Sequence, residues 1–183
     1  LSLELGGKSP TILLPGINVK KHIKQIAWGK TLNGGQTCIA PDYALCPEDK
    51  VQEFAEAFAE DIKRRFGDTE AKRHESKDLV HIVDKRATER HAALIKDAIA
   101  KGAKQVIGGV SDIENCYTPV TVLTNVTPDM EIMKSEIFGP IMPIIAYKNL
   151  KEAIAFVQSR PKPLALYIFG TNKRDINYVL SHT

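Results

Sequence analysis

Three short segments of the sequence carry residue types that can perform covalent chemistry or bind a cofactor. They are residues 4–8 (ELGGK), 35–38 (GQTC) and 136–140 (EIFGP). Each falls in a break between predicted regular elements, and catalytic and binding residues lie most often in such loops. These segments are therefore the first candidates for a functional site.

Cys38 is the sharpest candidate among them. A thiol in a polar loop after two glycines, Gly34 and Gly35, can be exposed, and the backbone N–H groups of such a loop can face an oxyanion. A thiolate is a strong nucleophile, and its surroundings decide how much of it exists. The alternative is a small buried hydrophobic side chain, which suits Cys46 and Cys116. No histidine lies near Cys38 in the sequence to complete a Cys–His pair.

The first and third segments each supply a carboxylate. Glu4 ends a strand-like run, where a partly desolvated carboxylate can act as a general base, although a glutamate at a strand edge is the simpler interpretation. Glu136 can bind ribose hydroxyls and Phe138 can stack on a cofactor, but a tight turn with a packed phenylalanine explains the same residues. On the residues alone, a cysteine-dependent enzyme is only slightly favoured over a binding module.

Other kinds of site are not indicated. The five histidines match no metal-ligand spacing and the cysteines form no C-x-x-C pair, so no metal site is expected. The G-x-G-x-x-G fingerprint and the P-loop are both absent. A net charge of +3 is too small to indicate nucleic acid, and no apolar stretch approaches the ~20 residues that cross a bilayer. Three cysteines favour a reducing compartment such as the cytoplasm over a disulfide scaffold.

Alternating strand and helix patterns must position these segments. Short apolar runs predict strands at residues 1–5, 11–14, 43–46, 106–107, 120–123, 144–147 and 164–169. Helical spacing of apolar residues predicts helices after Asn18, from Pro47 to Gly67, over 85–101, over 150–159 and after Asn172. This alternation is typical of an α/β fold. We expect a three-layer α/β/α domain with a mostly parallel sheet and with Cys38 in a loop at one edge of the sheet.

Two of the predicted strands carry a further expectation. Pro143 lacks a backbone N–H, so it should limit how far the strand at 144–147 extends backwards. Residues 164–169 are nearly all apolar, which predicts a strand covered on both faces.

Together and in this order, the three segments resemble the aldehyde dehydrogenase superfamily. Residues 4–10 (ELGGKSP) look like its general-base motif, residues 35–38 like its nucleophile motif, and residues 136–140 like its cofactor-ribose motif. The spacing of Glu4 and Cys38 fits the family. Residues 160–167 (RPKPLALY) resemble the class 3 and coniferyl-type branch, and the resemblance covers essentially the whole chain.

The resemblance implies the fold of the family's catalytic domain and a reaction, the oxidation of an aldehyde to a carboxylic acid with NAD or NADP. Cys38 would attack the aldehyde carbon as a thiolate, and its backbone N–H would form part of the oxyanion hole. Hydride would pass to the nicotinamide and leave a thioester on Cys38, which water activated by Glu4 would hydrolyse. Glu136 would hold the nicotinamide ribose, and Phe138 would pack against the cofactor.

The resemblance also implies that residues 1–183 are the catalytic domain of a longer chain. The family's cofactor-binding domain would precede the ELGGK segment, and a closing segment with much of the oligomerisation strand would follow Thr183. These residues alone are then expected to fold but not to turn over. The expected partners are an aldehyde, the cofactor-binding domain of the same chain and further copies in a homo-oligomer, with neither nucleic acid nor a membrane.

Two other functions remain open at this point. The first is a CoA-acylating relative that hands the acyl group to a thiol, and Glu4 argues against it because such an enzyme needs no water-activating base. The second is a non-catalytic α/β structural module, and the pair of Cys38 and Glu4 argues against it. The sequence does not specify the aldehyde or the choice between NAD and NADP.

Overall fold

The computed structural model describes residues 6–183, so the strand predicted at residues 1–5 and the candidate base Glu4 lie outside the described residues. The strands are β1 (Pro10–Leu13), β2 (Tyr43–Pro47), β3 (Lys104–Ile107), β4 (Thr121–Thr124), β5 (Ile141–Tyr147) and β6 (Tyr167–Phe169). The helices are α1 (Val19–Thr31), α2 (Val51–Phe66), α3 (Glu70–His74), α4 (Lys85–Ala100), α5 (Leu150–Gln158) and α6 (Lys173–His182). Three 3₁₀ turns lie at Leu32–Gly35, Glu48–Lys50 and Glu131–Met133.

The described strands form one sheet in the order β3-β4-β5-β2-β1-β6. Every neighbouring pair is parallel except β3 and β4, which are antiparallel. The prediction of a mostly parallel sheet is therefore confirmed. The three central strands β5, β2 and β1 lie side by side, which matters for the site because all three point in the same direction.

Two apolar cores, one on each face of the sheet, make the fold three layers thick. Successive side chains of a strand point to opposite faces, and in β1 Ile12 belongs to one core while Leu13 belongs to the other. The core that contains Ile12 is closed by residues of α4, α5 and α6. The core that contains Leu13 is closed by residues of α1 and α2. The predicted α/β/α layering is confirmed.

Polar side chains fix where several helices begin. The side-chain oxygen of Asn18 accepts a hydrogen bond from the backbone N–H of Lys21 at 3.2 Å. Asn172 likewise accepts from the N–H of Arg174 at 3.0 Å. Such caps satisfy N–H groups that have no partner within the helix, and both helix starts were predicted from the sequence. The helix predicted from Pro47 begins later, because Pro47 ends β2 and a 3₁₀ turn precedes α2.

The expectation that residues 164–169 form a strand covered on both faces is wrong, although a shorter strand does form within this range. Only β6 forms there, all three of its residues are half-buried, and it is the outer strand beside β1 among the described strands. Leu164 is exposed. An apolar run does not say whether a strand will be central or at the edge, because strand order depends on contacts between distant segments.

The expectation for Pro143 is also wrong, since β5 already begins at Ile141. β5 pairs with β4 through Pro143 and with β2 from Ile144 onwards. Pro143 therefore lies where β5 passes from pairing with β4 to pairing with β2. Its missing N–H falls at the end of each pairing and does not break the hydrogen bonds in the middle of either one.

Two further observations apply to residues 6–183. The helices there are either too short or too polar to cross a membrane. The histidine, cysteine and acidic side chains in this range form no group of three or more that could hold a metal ion.

Candidate active site

The described parts of the three candidate segments lie at one edge of the sheet. Residues 6–9 lead into β1, residues 36–42 lead into β2, and residues 136–140 lead into β5. Because these strands are adjacent and parallel, their amino ends lie together. The backbone N–H of Asp42 donates to the carbonyl of Ser9 at 2.8 Å, which ties the first two segments directly.

A run of left-handed residues turns the chain sharply between α1 and Cys38. Asn33, Gly34 and Gly35 have φ values of 51°, 63° and 74°. A Cβ atom at Gly35 would lie 2.4 Å from the carbonyl oxygen of Gly139, well inside van der Waals contact. Gly35 is therefore required both by its backbone conformation and by the close approach of residues 136–140.

Cys38 lies in the irregular segment that follows this turn, and its side chain is exposed. The Tyr167 hydroxyl donates a hydrogen bond to the carbonyl of Ile39. The Gln36 amide nitrogen donates to the carbonyl of His81 at 3.1 Å, and its oxygen accepts from the N–H of Val83 at 2.8 Å. The loop is thus fastened on both sides of the thiol while the thiol itself stays accessible.

The other two thiols have different surroundings. Cys46 is fully buried in β2, and this burial raises the pKa of its thiol to about 12. Cys116 is half-buried. The sequence-based interpretation of Cys46 as a small buried side chain is confirmed, and among the three thiols Cys38 is the exposed one.

Glu136 reaches across to the first segment. A Cβ atom at Gly6 would lie 2.8 Å from the carboxylate oxygen Oε2 of Glu136, so the Glu136 side chain closely approaches the backbone of the first segment. Burial raises the pKa of the Glu136 carboxyl, and a hydrogen bond from the backbone N–H of Gly7 opposes that rise. The result is a carboxylate that is partly desolvated and anchored on one side.

Phe138 is only partly packed, unlike the phenylalanine of the alternative interpretation. Its φ is 51°, a left-handed conformation that is unfavourable for a residue with a side chain. Its ring is 41% exposed. The loop therefore presents an aromatic ring to its surroundings, two residues from the Glu136 carboxylate.

Asp42 and Lys8 hold the three candidate segments together, a role that the sequence patterns do not predict. The Lys8 ammonium and the Asp42 carboxylate form an ion pair, and Asp42 also accepts from the N–H of Ile137 at 2.8 Å. Lys8 lies inside the ELGGK motif, so the sequence did mark it as a candidate, but nothing in the sequence around Asp42 marks that residue.

A second lysine near these segments, Lys30, is fully buried, and burial lowers its pKa to about 8.

Arg90 and His91 of α4 hold the third segment from the other side. Arg90 donates to the carbonyl oxygens of Glu136, at 3.2 Å, and of Ile137. His91 Nε2 lies 3.0 Å from the Ile137 carbonyl oxygen, and its Nδ1 lies 3.1 Å from the Thr118 hydroxyl. A carbonyl oxygen only accepts, so Nε2 donates to Ile137. Burial lowers the pKa of His91 to about 4, which favours the neutral imidazole.

The buried His91 should make stability depend on pH. Its pKa falls from an ordinary 6.5 to about 4 on folding. Between these values the unfolded chain binds a proton that the folded protein does not, so stability is lost as the pH falls through this window. The shift corresponds to roughly 3 kcal/mol of unfolding free energy at most.

The measurement is the unfolding free energy across this window for the wild type and for His91→Gln, with His22→Gln as a control. We expect the pH dependence to shrink in His91→Gln and to persist in His22→Gln. Equal pH dependence in the wild type and in His91→Gln would contradict the assignment.

Comparisons with known proteins show which proteins this chain is similar to. The model of the aldehyde dehydrogenase family matches residues 1–183. The chain is 40% identical over 183 residues to a probable coniferyl aldehyde dehydrogenase of Pseudomonas aeruginosa, of which it covers 37%. It is also 40% identical over 183 residues to aldehyde dehydrogenase family 3 member A2 of Mus musculus, of which it covers 36%. The chain thus spans little more than a third of the length of these relatives.

Solved structures agree as well. The substrate-bound state of AldH from Staphylococcus aureus superposes with a TM-score of 0.91 at 38% identity, over 98% of this chain and 38% of that one. A mutant of aldehyde dehydrogenase C from Pseudomonas syringae in complex with NAD⁺ and octanal superposes with a TM-score of 0.84 at 32% identity, over 98% of this chain and 37% of that one.

Proposed function

Because this chain belongs to the aldehyde dehydrogenase family, we propose that the protein oxidises an aldehyde to a carboxylic acid with NAD or NADP, with Cys38 as the covalent nucleophile. One observation carries the proposal. The exposed thiol of Cys38 follows a turn that packs against residues 136–140, where Glu136 and Phe138 lie. The resemblance to the class 3 and coniferyl-type branch is supported by the two relatives.

Each step of the proposed reaction assigns a task to this chain. The Cys38 thiolate attacks the aldehyde carbon, and the Cys38 backbone N–H donates to the oxygen that becomes negatively charged. When the hydride has left that carbon, the acyl group remains on Cys38 as a thioester. Glu4 takes a proton from water, the hydroxide attacks the thioester carbon, and the acid leaves with the thiolate restored.

Glu136 and Phe138 are suited to bind the nicotinamide ribose end of a dinucleotide cofactor. A bound nicotinamide supplies the acceptor for the hydride. The Glu136 carboxylate is anchored by Gly7 but keeps acceptor capacity for ribose hydroxyls, and the exposed Phe138 ring offers a packing surface. We propose that the remaining cofactor contacts come from residues outside these 183, in keeping with a chain that covers 37% of its Pseudomonas aeruginosa relative.

Selective labelling tests whether Cys38 is the accessible thiol. Treatment of the folded protein with iodoacetamide should alkylate Cys38 first, because alkylation requires an exposed thiolate. Cys46 should react last, since it is fully buried and its pKa is raised to about 12. The measurement is the time course of each modified peptide by mass spectrometry.

Denatured protein provides the control for this experiment, because unfolding should remove the difference between the three cysteines. Labelling of Cys46 or Cys116 ahead of Cys38 in the folded protein would refute the nucleophile assignment. It would then favour a structural module over an enzyme.

A further inference from the structure

Two side chains fasten the loop that carries Glu136. The Lys8 ammonium donates to the carbonyl oxygens of Ile132 at 2.8 Å and of Ser135 at 2.9 Å. Asp42 accepts from the backbone N–H of Ile137 at 2.8 Å. The two side chains are themselves joined by an ion pair, and we call this pair the Lys8–Asp42 clamp.

The clamp is buried and its polar groups are satisfied. The Asp42 side chain is 3% exposed and that of Lys8 is 10% exposed. An ammonium group has three hydrogens to donate, and Lys8 has three partners, namely Asp42 and two carbonyl groups. A buried ion pair is tolerated when both ions are hydrogen-bonded in this way, whereas removal of one partner leaves an uncompensated charge.

The clamp contacts the residues immediately before and after Glu136. Lys8 holds the carbonyl of Ser135 and Asp42 holds the N–H of Ile137, so the backbone is fixed on both sides of Glu136. The Glu136 side chain in turn lies against the first segment, since a Cβ atom at Gly6 would lie 2.8 Å from its Oε2. The clamp therefore sets where the Glu136 carboxylate lies relative to the amino ends of β1 and β2.

We propose that Asp42, through its ion pair with Lys8, is a positioning residue that holds Glu136 where it contacts the nicotinamide ribose. This inference rests on the proposed function, in which Glu136 binds that ribose. Asp42 touches neither substrate nor cofactor and acts only through the backbone of the loop. A displacement of the order of 1 Å at such a site can lower a rate by ~10²-fold.

Asp42→Asn separates this role from a general structural one. Asparagine keeps a carbonyl oxygen for the N–H of Ile137 but cannot balance the charge of Lys8. We expect aldehyde oxidation with NAD or NADP to fall by roughly 10- to 100-fold in the full-length protein. Acylation of Cys38 by p-nitrophenyl acetate, in which the thiolate displaces p-nitrophenolate without any cofactor, should stay within about threefold of the wild type.

Asp97→Asn is the matched control. Asp97 also accepts from a backbone N–H, that of Glu131 at 2.8 Å, and also pairs with a lysine, Lys101 at 2.8 Å. Asp97 lies on α4, and its partner Glu131 belongs to the same connection between β4 and β5 as Glu136. This contact does not flank Glu136, so the variant should change neither reaction. If Asp42→Asn yields no folded protein, Lys8→Gln breaks the same ion pair from the other end and should give the same split between the two reactions.

The outcomes separate this inference from the proposed function. A wild-type protein that acylates but does not oxidise aldehydes refutes the proposed function and the inference with it. An active wild type whose clamp variant loses both reactions equally, or retains full aldehyde oxidation, refutes the positioning role alone.

Discussion

In the full-length protein, Cys38→Ser should remove aldehyde oxidation, with a loss on the order of 10⁴-fold or more, as is typical when a covalent nucleophile is deleted. A serine hydroxyl is far less acidic than a thiol, so almost none of it is ionised near neutral pH. The Cys38 side chain is exposed, so its replacement should leave the folded structure intact. The measurement is the rate of formation of reduced nicotinamide, with a thermal melt of the same sample.

Cys116→Ser is the matched control, since it removes a half-buried thiol from another part of the fold. It should keep the wild-type rate. Turnover in Cys38→Ser within tenfold of the wild type would contradict covalent catalysis by this residue, as would an equal loss in Cys116→Ser.

Glu4→Gln should slow the second half of the reaction while it spares the first. A general base is typically worth ~10²–10⁴-fold, and the amide of glutamine cannot take a proton from water. Acylation of Cys38 does not need this base, so one equivalent of reduced cofactor should appear in a burst, followed by a slow steady state. Rapid-mixing absorbance measurements resolve the two phases.

Glu114→Gln is a suitable control, because the side chain of Glu114 is 81% exposed and pairs only with Lys85 in the described structure. It should show wild-type steady-state turnover. Unchanged steady-state turnover in Glu4→Gln would remove Glu4 from the mechanism, and it would reopen the CoA-acylating alternative, which needs no such base.

Much of the fold could be predicted because its determinants are local. Helix starts depend on a side chain and an N–H three residues or fewer away, as at Asn18 and Asn172. The alternation of strands and helices then leaves few arrangements other than three layers. Strand order is not local, which is why residues 164–169 were expected to be a covered strand. They form only the short strand β6, which is outermost among the described strands.

Of the candidate site, the surroundings of Cys38 could be predicted from the sequence. The loop position and exposure of Cys38 follow from the glycines before it, and the motif order indicated the family. Asp42 and His91 could not be found in this way, because their partners lie far along the chain. Asp42 and Ile137 are 95 positions apart, and His91 and Ile137 are 46 positions apart. Such pairs become visible only when the fold brings β2, α4 and residues 136–140 together.

The most direct test of covalent catalysis is to isolate the thioester. The full-length Glu4→Gln protein is mixed with an aldehyde and NAD or NADP, quenched in acid during the slow phase, and digested for peptide mass spectrometry. We expect a peptide that contains Cys38 and carries the mass of the acyl group, formed only when aldehyde and cofactor are both present. Full reduction of one cofactor equivalent with no acyl group on Cys38, or with the acyl group on Cys46 or Cys116, would contradict it.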